Sequence, residues 1–400
     1  MIKLDIKLKF SGRVKHLEGS AIREMFKLMA KPGIISFAGG SPDSSLFPAK
    51  ELADIAQEIL STKGPLALQY GITEGYQPLR DWVTDRLSKQ GIVGENDDTI
   101  IISGGQQGID LAAKSLINEG DAVICENPSF IGGLNSFRSY NADLIGVDVK
   151  NDGIDTEQLE EVLKAHQNVK VLYTIPTFQN PSGITMSVEK RKKLLELAEK
   201  YDFIIFEDNP YGELRFSGEP VPTIKSLDKS GRVVYFGSFS KILSPGMRIG
   251  HATADSDLIN RMVICKQVQD VHTPVLTQMI CHEYVIRYSI DEHIKESCRV
   301  YGEKCEYMMR LMDELFPKCV EHTRPQGGIF LFCTMPEGVD SKELLKAAID
   351  KNVAFVPGAT TMVDEHKIYS SFRLNYSMAS FEQIEQGIKV LAEVLNEALN

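Results

Sequence analysis

Between about residues 98 and 255, short β-rich runs alternate with amphipathic helical segments, a pattern that few architectures accommodate. It predicts an α/β fold with a mostly parallel sheet covered on both faces by helices. The candidate strands are residues 99–102, 122–125, 144–149, 169–175, 203–206, 233–236 and 249–253, seven in all. Between them, Ile109, Ala112, Ala113, Leu116 and Ile117 share one face of a helix over 106–117, and Leu194, Leu197 and Ala198 one face of another over 189–201. A long helical stretch around 256–316 leads into a smaller α+β C-terminal region with strand candidates at 329–333, 353–356 and 371–374. A final helix over 380–399 presents Ile384, Ile388, Leu391 and Leu395.

Composition removes several classes. With 400 residues, 43% hydrophobic and 25% charged, the chain is neither disordered nor fibrous and can bury a sizeable core. A net charge of −11 argues against a nucleic-acid surface, which needs clustered Lys and Arg. Met1 to Lys7 alternates charged and apolar residues, so it lacks the apolar core of a signal peptide, and no run approaches a membrane span. A cytoplasmic location is the default expectation. The seven cysteines never form a Cys-x-x-Cys pair, and the eight histidines show no His-Glu-x-x-His spacing. Reduced thiols and no metal are expected. Neither a Gly-x-x-x-x-Gly-Lys-Ser/Thr loop nor a Gly-x-Gly-x-x-Gly turn is present.

The chemistry gathers at predicted strand ends. The run 233–236, bounded by Gly231 and Gly237, puts Lys241 just beyond its carboxyl end, where open α/β sheets place ligands. An amine shielded there beside Arg248 has a depressed pKa and can attack an aldehyde to give a Schiff base. Ser238, Ser240 and Arg248 can hold a phosphate next to it. The alternative is a surface lysine in a polar loop, which only further pieces of the same site displace.

Asp208 ends the run 203–206 in the same way and can pair with a protonated ring nitrogen, or can cap a helix. Tyr211 can donate to a ring oxygen. Asn180, after the strand 169–175, can donate to a phenolate oxygen, or can serve only the Asn180-Pro181-Ser182-Gly183 turn. The N–H groups of Gly105 and Gln106, at a strand–glycine–helix junction, can bind phosphate. Phe130 can stack on a planar ring or belong to the core.

Asn180-Pro181-Ser182-Gly183, Asp208-Asn209-Pro210-Tyr211, Ser238-Phe239-Ser240-Lys241 and Phe372-Arg373-Leu374 together resemble the fold-type-I, class I/II aminotransferases that use pyridoxal 5'-phosphate. Ser36 to Pro42, Gln69-Tyr70-Gly71 and Ser103 to Gln107 make the chain similar to the 2-aminoadipate and kynurenine branch. The resemblance implies an N-terminal segment 1–45 near the active site, a large cofactor-binding domain over 46–290 and a small domain over 291–400. It implies Lys241 as the Schiff-base lysine, Asp208 at the pyridine nitrogen, Asn180 and Tyr211 at the ring hydroxyl, and Phe130 on the ring face. Phosphate falls to Gly105, Gln106, Ser238, Ser240 and Arg248. A homodimer with shared active sites is implied, Tyr70 reaching the neighbour's phosphate. On the substrate side stand Gly40, Asn180 and Arg373, the last pairing with the α-carboxylate, for which a structural ion pair is the alternative.

Two departures from many relatives are Gly105, where a second serine is common, and Phe130, where tyrosine is common. The implied reaction moves an amino group between an L-amino acid and a 2-oxo acid by a ping-pong mechanism. Glutamate with 2-oxoglutarate is the expected pair, with 2-aminoadipate, aromatic or branched amino acids also in range. Arg23 either contacts a substrate's distal carboxylate or is a surface arginine. A carbon–sulfur lyase or decarboxylase on the same scaffold, and a ligand-sensing regulator, are the competing readings.

Overall fold

Fourteen strands and the helices between them make up residues 9–15 and 33–399, which the computed structural model describes. Strand β1 (Ile35–Ser36) belongs to a small pair discussed below. The large sheet then forms from β2 (Asp97–Ile102), β3 (Ala122–Asn127), β4 (Asp143–Lys150), β5 (Gly153–Ile154), β6 (Val169–Thr174), β7 (Ile204–Asp208), β8 (Val233–Ser238) and β9 (Gly250–Asp255). Their spatial order is β2-β9-β8-β7-β6-β3-β4-β5. Neighbours β8, β7, β6, β3 and β4 are parallel, while β9 is antiparallel to both of its neighbours.

Burial on both faces explains the near-continuous apolar runs. Ile124, Leu172 and Ile205 face one core, against the Thr156–Ala165 and Val188–Tyr201 helices; Cys125, Tyr173 and Phe206 face the other, which includes Ile109 and Ala112 of the Gly105–Leu116 helix. The sheet has eight strands rather than seven, because after β4 the chain turns back and pairs two residues, β5, on the open edge.

The stretch 256–316 is three helices, Ser256–Gln269, Val275–Arg287 and Ile290–Leu315. Beyond it lie β10 (Glu321–His322), β11 (Phe330–Thr334), β12 (Val353–Ala354), β13 (Val356–Pro357) and β14 (Ser371–Asn375). Strands β10, β11, β14 and β13 form an antiparallel sheet, while β12 pairs in parallel with β1. The expected single strand over 353–356 is therefore split at Phe355, whose ring packs on Phe372 at 4.8 Å. That split lets one short segment bind both the small sheet and the chain around β1, which leads straight into Ala38 and Gly40.

Among the described residues, no helix is long and apolar enough to cross a membrane.

Candidate active site

Strand direction brings the polar residues together. The carboxyl ends of β2, β6, β7 and β8 share one edge, and the antiparallel β9 begins there, so Arg248 joins the same edge from the opposite chain direction. A cavity of about 400 Å³ opens at that edge. Gly40, Gly105, Gln106, Phe130, Asn180, Asp208, Tyr211, Ser238, Ser240, Lys241, Arg248 and Arg373 all line it. Two further residues stand apart from this set. Tyr70 is 80% exposed, outside the cavity, with its ring edge-on to His272 at 5.8 Å; Arg23 lies outside the described residues.

Lys241 Nζ donates to the Gly40 carbonyl at 2.5 Å. Burial, reinforced by the nearby Arg373 and Arg248 cations, pushes its pKa down to about 8 against the opposing pull of Asp208. An appreciable fraction of free amine therefore exists near neutral pH.

Asp208 caps no helix. Its Oδ2 accepts from the Tyr173 hydroxyl at 2.7 Å, and burial raises its pKa to about 7. Asn180 does more than turn the chain, since its Oδ1 accepts from Arg373 Nη1 at 2.8 Å and its Nδ2 reaches the Tyr211 hydroxyl at 3.5 Å.

Arg373 is buried, with its guanidinium over the Phe330 ring at 4.1 Å and Nη2 donating to the Ala38 carbonyl at 2.7 Å. Among the described residues it has no carboxylate partner, and its Nε is buried without an acceptor. Of five N–H donors, the bonds to Asn180 and Ala38 use two. Burial lowers its pKa to about 10, so it remains a cation. A buried, unpaired cation is costly and awaits an anion.

One corner of the cavity combines backbone N–H groups with the Arg248 side chain. Gly105 opens the Gly105–Leu116 helix, so the N–H groups of Gly105 and Gln106 lie in a first turn that no helical carbonyl can satisfy. Arg248 flanks them, donating to the Ser103 carbonyl at 3.0 Å and the Ser240 hydroxyl at 3.4 Å. Gly104 permits this approach: its φ is +85°, and a Cβ there would stand 2.2 Å from Arg248 Nη2.

These donors suit pyridoxal phosphate: an amine with a depressed pKa, a buried carboxyl, paired polar groups between them, and a corner of N–H and cationic donors. Sequence reasoning missed Tyr173, which bonds Asp208 from the neighbouring strand, Glu126, whose charge acts on Asp208 from the strand beyond, and Phe330 beneath Arg373. Glu126 alone carried a signal, as an acid in an otherwise apolar strand.

A family profile described as aminotransferase class I and II matches residues 33–391. The chain is 41% identical to aromatic-amino-acid aminotransferase 1 of Thermococcus litoralis, over 99% of this chain and 96% of that one. It is 38% identical to the 2-aminoadipate transaminase of Thermus thermophilus, over 98% and 96%. Among solved structures, a Pyrococcus horikoshii kynurenine aminotransferase superposes with a TM-score of 0.95 at 41% identity, covering 99% of both chains.

Proposed function

Because this chain belongs to the class I and II aminotransferases, which depend on pyridoxal phosphate, we propose that the Lys241 cavity holds that cofactor and exchanges amino groups between L-amino acids and 2-oxo acids. The observation that carries this reading is Arg373, buried and, among the described residues, without a carboxylate partner, lining one cavity with the depressed amine of Lys241.

When bound, the cofactor supplies an aldehyde that bonds to amines and a protonated ring that draws electrons from the adjoining α-carbon. Asp208 is the partner of the ring nitrogen, and Tyr211 with Asn180 serves the ring hydroxyl. Phe130 covers the ring face. Gly105, Gln106, Ser238, Ser240 and Arg248 hold the phosphate.

Arg373 binds the substrate α-carboxylate with its remaining N–H groups, oriented by Asn180. Nζ of Lys241 takes up and returns the proton of the α-carbon. Both the amino donor and the 2-oxo acceptor use this one cavity in turn. Glutamate and 2-oxoglutarate form the proposed pair, with aromatic amino acids and 2-aminoadipate as further donors, in keeping with the activities named for the relatives.

The proposed assembly is a homodimer. Leu66, Leu68, Tyr70, Ile72 and Val268 are exposed apolar or aromatic residues, the kind of surface that a second copy covers. Tyr70, outside its own chain's cavity, is then available to the neighbour's phosphate.

Initial rates measured with L-glutamate or an aromatic amino acid against varied 2-oxo acid test the shared cavity. Parallel double-reciprocal lines are expected; intersecting lines, which require both substrates bound at once, would overturn it.

A further inference from the structure

Tyr173, in β6, is buried, and its ring is held on two sides. Phe137 meets it edge-on at 5.5 Å, and a Cβ added at Gly133 would come within 2.7 Å of the ring. So fixed, its hydroxyl donates to Oδ2 of Asp208 at 2.7 Å. The second oxygen, Oδ1, lies toward Gly105, 3.9 Å from where a Cβ on that glycine would stand, and among the described residues it accepts no hydrogen bond. One oxygen is anchored in the sheet and the other is left for the cavity that Asp208 lines.

The surroundings show what that anchor opposes. Burial raises the Asp208 carboxyl, and the Tyr173 hydrogen bond opposes this; the charge of Glu126 adds to the rise and Lys241 opposes it. Glu126 is itself buried, accepting from Thr174 Oγ1 at 2.6 Å, the Ile175 N–H at 3.0 Å and Gln179 Nε2 at 3.2 Å. Burial and the Asp208 charge hold the Tyr173 hydroxyl far above its ordinary range, so it remains a donor. Deleting that donor would raise the Asp208 carboxyl further and favour its protonated form.

We propose that Tyr173 is a positioning residue for the reaction, its hydroxyl anchoring Oδ2 of Asp208 so that Oδ1 is presented to the cavity. This rests on the pyridoxal phosphate reading above.

Tyr173→Phe deletes the oxygen and keeps the ring packing. In equilibrium dialysis of the full-length holoprotein, its dissociation constant for pyridoxal phosphate is expected to rise about tenfold, the size of one hydrogen bond to a charged group. The acid limb of its kcat profile should move to higher pH, because Asp208 then loses its charge earlier on acidification. Adding Tyr173→Phe to Asp208→Asn should change cofactor affinity no further, since Tyr173 acts through Asp208. A thermal unfolding curve of Tyr173→Phe, recorded alongside, separates a folding defect from the loss of the hydroxyl, and the double variant reads the coupling to Asp208 directly.

Unchanged affinity and pH profile in a folded Tyr173→Phe, or additive effects in the double variant, would each overturn the inference. A wild-type protein that binds no pyridoxal phosphate would instead sink the reading beneath it.

Discussion

Lys241→Ala should lower transamination by about 10⁴-fold or more, since it removes a proton carrier worth about 10²–10⁴ and the cofactor's covalent anchor together. The fold should survive the change. Among the described residues the amine makes one hydrogen bond, to the Gly40 carbonyl, and carrying its charge in this buried position is unfavourable, as its lowered pKa of about 8 records. Steady-state rates with L-glutamate and 2-oxoglutarate, beside a thermal unfolding curve, separate the two effects. Turnover within tenfold of wild type, in a folded variant, would refute the role given to Lys241.

Arg373→Ala should lower kcat/KM for amino acids by about 10²–10³-fold, the scale of removing one member of a buried charge pair. Most of the loss should fall on KM, because the α-carboxylate interaction is made on binding. Arg373→Lys keeps the charge but not the planar fork, so it should recover only part of the loss. Asn180 Oδ1 and the Ala38 carbonyl also lose a donor in these variants, and pyridoxal phosphate retention measured alongside separates that disturbance from carboxylate binding. An unchanged KM for both amino acid and 2-oxo acid would show that the carboxylate binds elsewhere.

The large sheet was legible because its strands are apolar runs of four to eight residues separated by helical periodicity, and because burial on both faces demands that pattern. Lys241, Asp208 and Asn180 were legible for a related reason: each is polar and stands just where an apolar run stops. Tyr173 was not, since a tyrosine inside an apolar strand looks like core, and nothing local shows that its hydroxyl meets a carboxylate 35 residues later. The division of residues 353–356 between two sheets was equally hidden, because four consecutive buried residues carry no mark of which neighbour each will pair with. Among the competing readings, membership of the aminotransferase class favours transamination over the lyase, decarboxylase and sensor alternatives.

The most direct test is the visible absorption of the purified protein loaded with pyridoxal phosphate, followed through addition of L-glutamate and then of a 2-oxo acid. The account predicts a yellow band that glutamate discharges and the 2-oxo acid restores, with Lys241→Ala unable to complete the cycle. A wild-type protein that develops no yellow band with added cofactor would contradict it.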